Sequence, residues 1–244
     1  MCKTAFSQFA VLSFCSQPCF DSTFSMIKSL VHPQDVSADS GEVLALSPGV
    51  LLMPQAGNSP VLLAEIAQIA AAAPFRHMQV GGGKSMSVAM TNCGDLGWTS
   101  SAAGYQYTRC DPQSMTSAKP WPAMPAAFKQ LASTCALRCG FAGFEPDACL
   151  INRYTGPAQM GLHQDKDERD LSQPIVSVSL GASAVFLLGG NQRKGKVQTI
   201  ELADGDVLVW GGAARLYFHG VRSPLSDASG QVPVRFNLTF RKAG

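Results

Sequence analysis

A mainly β protein with flanking helices, built as a double-sheet jelly roll or similar barrel, is the fold that this chain predicts. Three observations point there. The closing segment Val234-Arg-Phe-Asn-Leu-Thr-Phe-Arg241 alternates strictly, with Phe236, Leu238 and Phe240 on one side and Arg235, Asn237, Thr239 and Arg241 on the other, which is the period of a strand. Seven further short runs of strand character precede it, with Gly, Pro and Asp at the breaks. Only two segments carry helical signals, and both lie before these runs.

Taken in order, the first forty residues show no firm periodicity, and the Ser/Asp-rich Val36-Ser-Ala-Asp-Ser-Gly41 reads as a linker. Residues 1–40 are therefore a loose extension, and residues 41–244 form the domain. Asn58-Ser-Pro60 offers a cap and an N1 proline for a helix through Leu62, Ile66 and Ile69 that must stop by Pro74. A second helix is expected from about Pro122 to Cys139. Strands follow at about 147–155, 161–165, 174–180, 184–188, 197–202, 206–210, 214–221 and 234–241. No internal repeat is apparent.

Composition fits one enzyme-sized domain. The chain has 244 residues, 46% of them hydrophobic, enough for one substantial core, and no apolar run of membrane length. Nineteen Lys and Arg against seventeen Asp and Glu give a net charge of +2, which argues against a bulk electrostatic binder but allows a local basic track. The eight cysteines include no Cys-X-X-Cys pair and read as reduced thiols; Cys135 and Cys139, one helical turn apart, read as packing residues. The start makes a poor signal peptide, so no membrane partner and a cytoplasmic location are expected.

Two sets of residues carry chemistry. Arg235 and Arg241 lie on one side of the closing strand, about 20 Å apart at roughly 3.3 Å per residue. Guanidinium groups are buried only with partners, so that side is either a solvated sheet face or a grip for the two ends of a small diacid. In His163-Gln-Asp165 the ligand types are two residues apart and share a direction on extended chain, and His219 lies further on. Two histidines and one carboxylate with open positions suit a non-haem Fe(II) centre, whereas zinc more often draws a closed set or cysteines. Asn152 and Tyr154 share one side of their strand and repeat the polar-inside pattern.

Asn152-Arg-Tyr154, His163-Gln-Asp-Lys-Asp-Glu168, Ile175-Val-Ser-Val-Ser-Leu-Gly181, Gly205-Asp-Val-Leu-Val-Trp-Gly-Gly212, the His219 segment and Arg235-Phe-Asn-Leu-Thr-Phe-Arg241 together resemble the AlkB-type Fe(II)/2-oxoglutarate dioxygenases, which remove alkyl groups from nucleic-acid bases. The resemblance is dense from about Pro74 to Gly244 and looser back to about Gly41. It implies a double-stranded β-helix core over about 147–244 and an N-terminal nucleotide-recognition lid over about 74–120. It implies Fe(2+) on His163, Asp165 and His219, with 2-oxoglutarate and O2 as co-substrates. By the same resemblance Arg235 grips the distal carboxylate of 2-oxoglutarate beside Asn152 and Tyr154, and Asn237 and Arg241 attend the end that chelates iron.

The segment between the helices is rich in glycine, basic residues and aromatics, as a cover that stacks on an extruded base requires. The resemblance places Trp98 on one face of that base and His163 on the other, with Tyr105 at the sugar or backbone. Asp167 is the expected reader of a cationic base such as 1-methyladenine or 3-methylcytosine; its alternative reading, with Glu168, is an exposed acidic turn. The implied partner is alkylated DNA, single-stranded or base-flipped, with RNA as a second substrate, and the protein is expected as a monomer. No lysine stands just before His163, and the Gly189–Lys196 loop is short. Phosphate contacts therefore transfer least; Arg193, Lys194, Lys196, Lys84 and Arg76 are the candidates. The competing readings are a dioxygenase acting on a protein side chain or small metabolite, which has no use for a Trp98 and Tyr105 cover, and a non-catalytic jelly-roll module.

Overall fold

The computed structural model describes residues 41–244 apart from 115–118, 227–229 and 231–232, so the expected extension over 1–40 lies outside the described residues. The chain opens with strands β1 (Leu44–Ser47) and β2 (Val50–Met53), helix α1 (Ser59–Ala72), β3 (Arg76–Gln79), β4 (Ser85–Gly94), β5 (Gly97–Ser101) and β6 (Gly104–Thr108). Helix α2 (Ala126–Arg138), β7 (Ala148–Tyr154), β8 (Met160–His163), β9 (Ile175–Gly181) and β10 (Ala184–Leu188) follow. The last four strands are β11 (Gln198–Leu202), β12 (Val207–Trp210), β13 (His219–Pro224) and β14 (Arg235–Arg241).

Two antiparallel sheets face each other, as the jelly-roll expectation requires. The larger has eight strands in the order β1-β2-β12-β9-β14-β7-β4-β3; the smaller is β11-β10-β13-β8, and β5 and β6 form a separate hairpin. Alternation along each strand divides the work of the large sheet. Ile151, Val176, Val178, Val207, Val209, Leu238 and Phe240 pack with α1 and α2 through Leu62, Ile66, Phe128 and Leu131. The neighbouring positions Leu150, Tyr154, Ile175, Leu208 and Trp210 turn the other way, toward Phe186, Leu188, Ile200 and Val221 of the small sheet. Burying each such side chain stabilises by about 1.5–3 kcal/mol, and the two faces together fix the strand register.

Several element boundaries differ from the expectation. Pro60 does open α1, but Asn58 makes no side-chain cap bond; instead Ser59 Oγ donates to Asp204 Oδ1 at 2.8 Å. Helix α2 starts at Ala126, not near Pro122, because Pro122 and Pro125 hold the residues before them extended. The run at 214–221 is not one strand. Gly212 at φ 54° turns the chain through a 3₁₀ segment, Gly212–Ala214, and the strand begins at His219. Strands β1 to β6 carry no clear alternation in the sequence. In β4 the reason is plain, since Val88 to Cys93 are all buried, and a strand covered on both faces loses its period. Within the expected lid, β3 and β4 extend the large sheet through β7, while β5 and β6 stand apart from it.

Candidate active site

Strand pairing assembles the three expected metal ligands. His163 closes β8 and sits directly opposite His219, the first residue of β13, so their rings approach to 4.4 Å between centroids. Asp165 follows two residues beyond β8 with Oδ1 3.6 Å from His163 Nε2 and Oδ2 3.8 Å from His219 Nε2. One ligand atom from each residue falls within 4.8 Å of the others. Both imidazoles are oriented from behind. His163 Nδ1 faces the Gly161 carbonyl at 2.9 Å and His219 Nδ1 faces that of Tyr217 at 3.0 Å. A proton on each Nδ1 leaves each Nε2 lone pair aimed at the shared point, the tautomer a metal needs.

Electrostatics favour the same state. Burial, reinforced by the neighbouring His163, pushes the His219 pKa down to about 4, so its ring is neutral near pH 7. Burial alone would raise the Asp165 pKa, but Arg241 and the two imidazoles hold it below the usual carboxylate range. Arg241 Nε and Nη2 donate to Asp165 Oδ2 at 3.0 and 2.7 Å, which fixes the carboxylate and offsets its charge.

Between the sheets, a small cavity of about 50 Å³ is lined by His163, His219, Asn152, Tyr154, Arg235 and Asn237, among others. Arg235 is among the largest fully buried side chains. Its Nη2 donates to Ser179 Oγ at 3.0 Å and its guanidinium lies 5.0 Å over the Tyr154 ring, yet Nε and Nη1 meet no hydrogen-bond acceptor. Burial lowers its pKa, against the opposing pull of Tyr154. A buried guanidinium short of acceptors costs several kcal/mol unless an anion completes it. The donor set thus fits a carboxylate at this end and a divalent metal at the other, the two ends of a chelating keto diacid. Asn237 is held by Ser177 Oγ and the Val178 carbonyl at 2.8 and 3.0 Å, and accepts from Asn152 Nδ2 at 3.3 Å.

A second, larger cavity of about 480 Å³ is also lined by His163, with Asp165, and its wall includes Trp98, Tyr105, Asp167, Arg193 and Arg241. Trp98 and Tyr105 stack on each other at 5.3 Å with an interplanar angle of 24°. Trp98 Nε1 donates to Asp167 Oδ2 at 3.0 Å. Hairpin β5–β6 therefore presents its rings toward the ligand cluster. Asp167 is exposed, as an acidic turn would be, but Glu168 is buried. Of the basic candidates, Arg193 lies over Phe218 at 5.2 Å, Lys84, Lys194 and Lys196 are exposed, and Arg76 is paired with Asp111 at 2.6 Å on a different cavity.

A buried network behind the ligands is not anticipated by the sequence motifs. Tyr107 of β6 donates to Glu168 Oε1 at 2.6 Å. Glu168 Oε2 accepts from Arg215 Nη2 at 3.0 Å, and Arg215 Nη1 donates to the Asp165 carbonyl at 2.6 Å. Burial pushes the Tyr107 pKa well up, against the pull of Arg241, so the phenol stays a donor. Tyr107 falls two residues after Tyr105 and is legible as its strand neighbour; nothing local marks Arg215, which lies in a turn. Ser177 and Ser179 are legible as the polar positions of β9, since they pair across to Thr239 and Asn237.

Residues 49–241 match the model of the 2OG-Fe(II) oxygenase superfamily. The chain is similar to the alpha-ketoglutarate-dependent dioxygenase AlkB of Escherichia coli (strain K12), at 51% identity over 185 residues covering 75% of this chain and 84% of that protein. It is also similar to the human nucleic acid dioxygenase ALKBH1, at 35% identity over 115 residues, 47% of this chain and 30% of that protein. Among solved structures, that of OsALKBH1 superposes with a TM-score of 0.69 at 27% identity, covering 82% of this chain and all of that one.

Proposed function

Because the chain belongs to the 2OG-Fe(II) oxygenase superfamily and is an AlkB-type 2-oxoglutarate-dependent dioxygenase, we propose that it removes alkyl groups oxidatively from nucleic-acid bases, with 1-methyladenine and 3-methylcytosine in DNA, and also RNA, as substrates. It acts as a monomer on single-stranded or base-flipped strands. The observation that carries this reading is that one ligand cluster serves two cavities, a small one ending at Arg235 and a larger one walled by stacked aromatic rings.

His163, Asp165 and His219 hold Fe(II). Arg235, with Asn152 and Tyr154, takes the distal carboxylate of 2-oxoglutarate, and Asn237 and Arg241 attend its chelating end. When bound there, iron, 2-oxoglutarate and O2 supply a hydroxylating oxidant: decarboxylation to succinate is coupled to hydroxylation of the N-alkyl carbon, and the resulting hemiaminal releases formaldehyde. The residues supply position and charge. Arg241 keeps Asp165 ionised and fixed, and the two carbonyls behind the imidazoles hold their rings. Trp98 and His163 flank the extruded base in the larger cavity, where stacking is worth about 1–3 kcal/mol per base. Asp167, on the same wall, attracts a positively charged base over its neutral parent.

The test is incubation with Fe(II), 2-oxoglutarate and oligonucleotides that each carry one defined lesion, followed by product mass. Loss of the methyl group from 1-methyladenine or 3-methylcytosine, with formaldehyde released, is the expected result. Decarboxylation of 2-oxoglutarate with every lesion intact would turn the assignment toward a protein side chain or small metabolite.

A further inference from the structure

We infer that Arg109 and Arg169 form a phosphate-binding site beside the substrate cavity, which takes a backbone phosphate of the strand whose base is extruded. This rests on the nucleic-acid reading above. The two arginines, from the segment after β6 and the turn after Asp167, share one concavity of about 350 Å³ with Leu96, Tyr107, Asp167, Ala243 and Gly244. Both are exposed. Among the described residues neither pairs with a carboxylate, whereas Arg193, Arg215, Arg235 and Arg241 each have a hydrogen-bond or ring partner.

The neighbouring acid does not neutralise them. Asp167 accepts from Trp98 Nε1 at 3.0 Å on the cavity side, so its carboxylate is turned to the ring that stacks on the base. Asp167 lines both cavities, so the two share a wall residue. A nucleotide whose base enters the larger cavity leaves its own or an adjoining phosphate outside that wall. The backbone behind the arginines is held. Arg169 N–H donates to the Ala243 carbonyl at 3.3 Å, and Tyr107 is tied to buried Glu168. Two guanidinium forks on anchored chain, neither ion-paired among the described residues, are the chemistry that recognises a phosphodiester bidentately. An acidic peptide would meet the same charges, but the shared wall with a base-sized, ring-lined cavity favours a polynucleotide.

The experiment is anaerobic binding of a labelled single-stranded oligonucleotide with one 3-methylcytosine, to protein loaded with Fe(II) and 2-oxoglutarate, across a salt series. Arg109→Gln/Arg169→Gln is compared with wild type and with Lys129→Gln, an exposed charge removed from α2 on the far face of the large sheet. Each phosphate that the protein no longer neutralises lowers the slope of log affinity against log salt by about 0.7, so with its one phosphate released the slope of the double variant is expected to fall by about 0.7 and its binding to weaken roughly fivefold or more at 0.1 M salt. Lys129→Gln keeps the wild-type slope. Lesion-independent decarboxylation of 2-oxoglutarate stays at the wild-type rate in all three, which shows the fold and the metal site intact. A wild-type slope and affinity in the double variant would overturn the site. Failure of the parent reading looks different, since wild type itself then neither binds nor converts the oligonucleotide.

Discussion

At Arg235 a guanidinium is buried against Ser179 and the Tyr154 ring with Nε and Nη1 unpartnered, so its planar fork is shaped for a carboxylate. Arg235→Lys keeps the charge and loses the fork. Removing one charge-assisted bond costs about 1.5–3 kcal/mol, which predicts a rise in KM for 2-oxoglutarate of roughly tenfold or more with little change in lesion affinity; steady-state titration of the co-substrate decides. The ligand residues give a second prediction. His163→Ala, Asp165→Ala and His219→Ala each remove one of the three proposed iron ligands, so each variant should fold, measured by circular dichroism, yet lose iron on dialysis and with it all turnover. Wild-type iron content in any of them would remove that residue from the set. These residues are readable because ligand chemistry is restricted to a few side-chain types, and only four histidines exist in the chain.

At the scale of elements, hairpin β5–β6 lines the larger cavity through Trp98 and Tyr105 and joins the buried network through Tyr107. Trp98→Ala should weaken binding of every lesion by about 1–3 kcal/mol. Asp167→Asn should hurt cationic 1-methyladenine and 3-methylcytosine more than neutral 1-methylguanine, measured by titrating each variant with one lesion of each kind. Equal losses on both would refute charge reading by Asp167. Tyr107→Phe leaves Glu168 Oε1 with only Arg241, at 3.4 Å, and removing a charge-assisted bond, worth about 1.5–3 kcal/mol, should loosen the hairpin. Faster amide exchange in β5 and β6 with unchanged exchange in β9 and β14 is the expected signature. The Tyr107–Glu168 link is not visible in a linear reading, because the two residues are 61 positions apart.

For the whole molecule, the two faces of the large sheet separate stability from chemistry. Leu238 lies fully buried on the helix face between Asn237 and Thr239, which face the site. Leu238→Ala leaves a cavity and should cost about 2–5 kcal/mol, seen as a lower midpoint in urea, while KM for 2-oxoglutarate changes little below the transition. A ligand that binds only the folded state works in the opposite direction. Fe(II) at about 100 times its Kd should add about 2.7 kcal/mol to the wild type and nothing to Asp165→Ala.

The sheet-rich class, the polar side of β14 and the ligand triad are all legible in the amino-acid sequence, because alternation and metal chemistry are written locally, in periods of two and in side-chain type. Strand β14 shows this most directly: its seven residues sort onto the helix core and the site as the alternation requires. Packing settles the rest. It puts β3 and β4 into the large sheet, where burial on both faces erases the pattern, and it breaks the 214–221 run so that Arg215 can reach the Asp165 carbonyl. It also buries Glu168 while leaving Asp167, one residue away, exposed. That distinction depends on which way a short turn faces once the sheets have packed, and a turn of irregular backbone carries no period from which to read it.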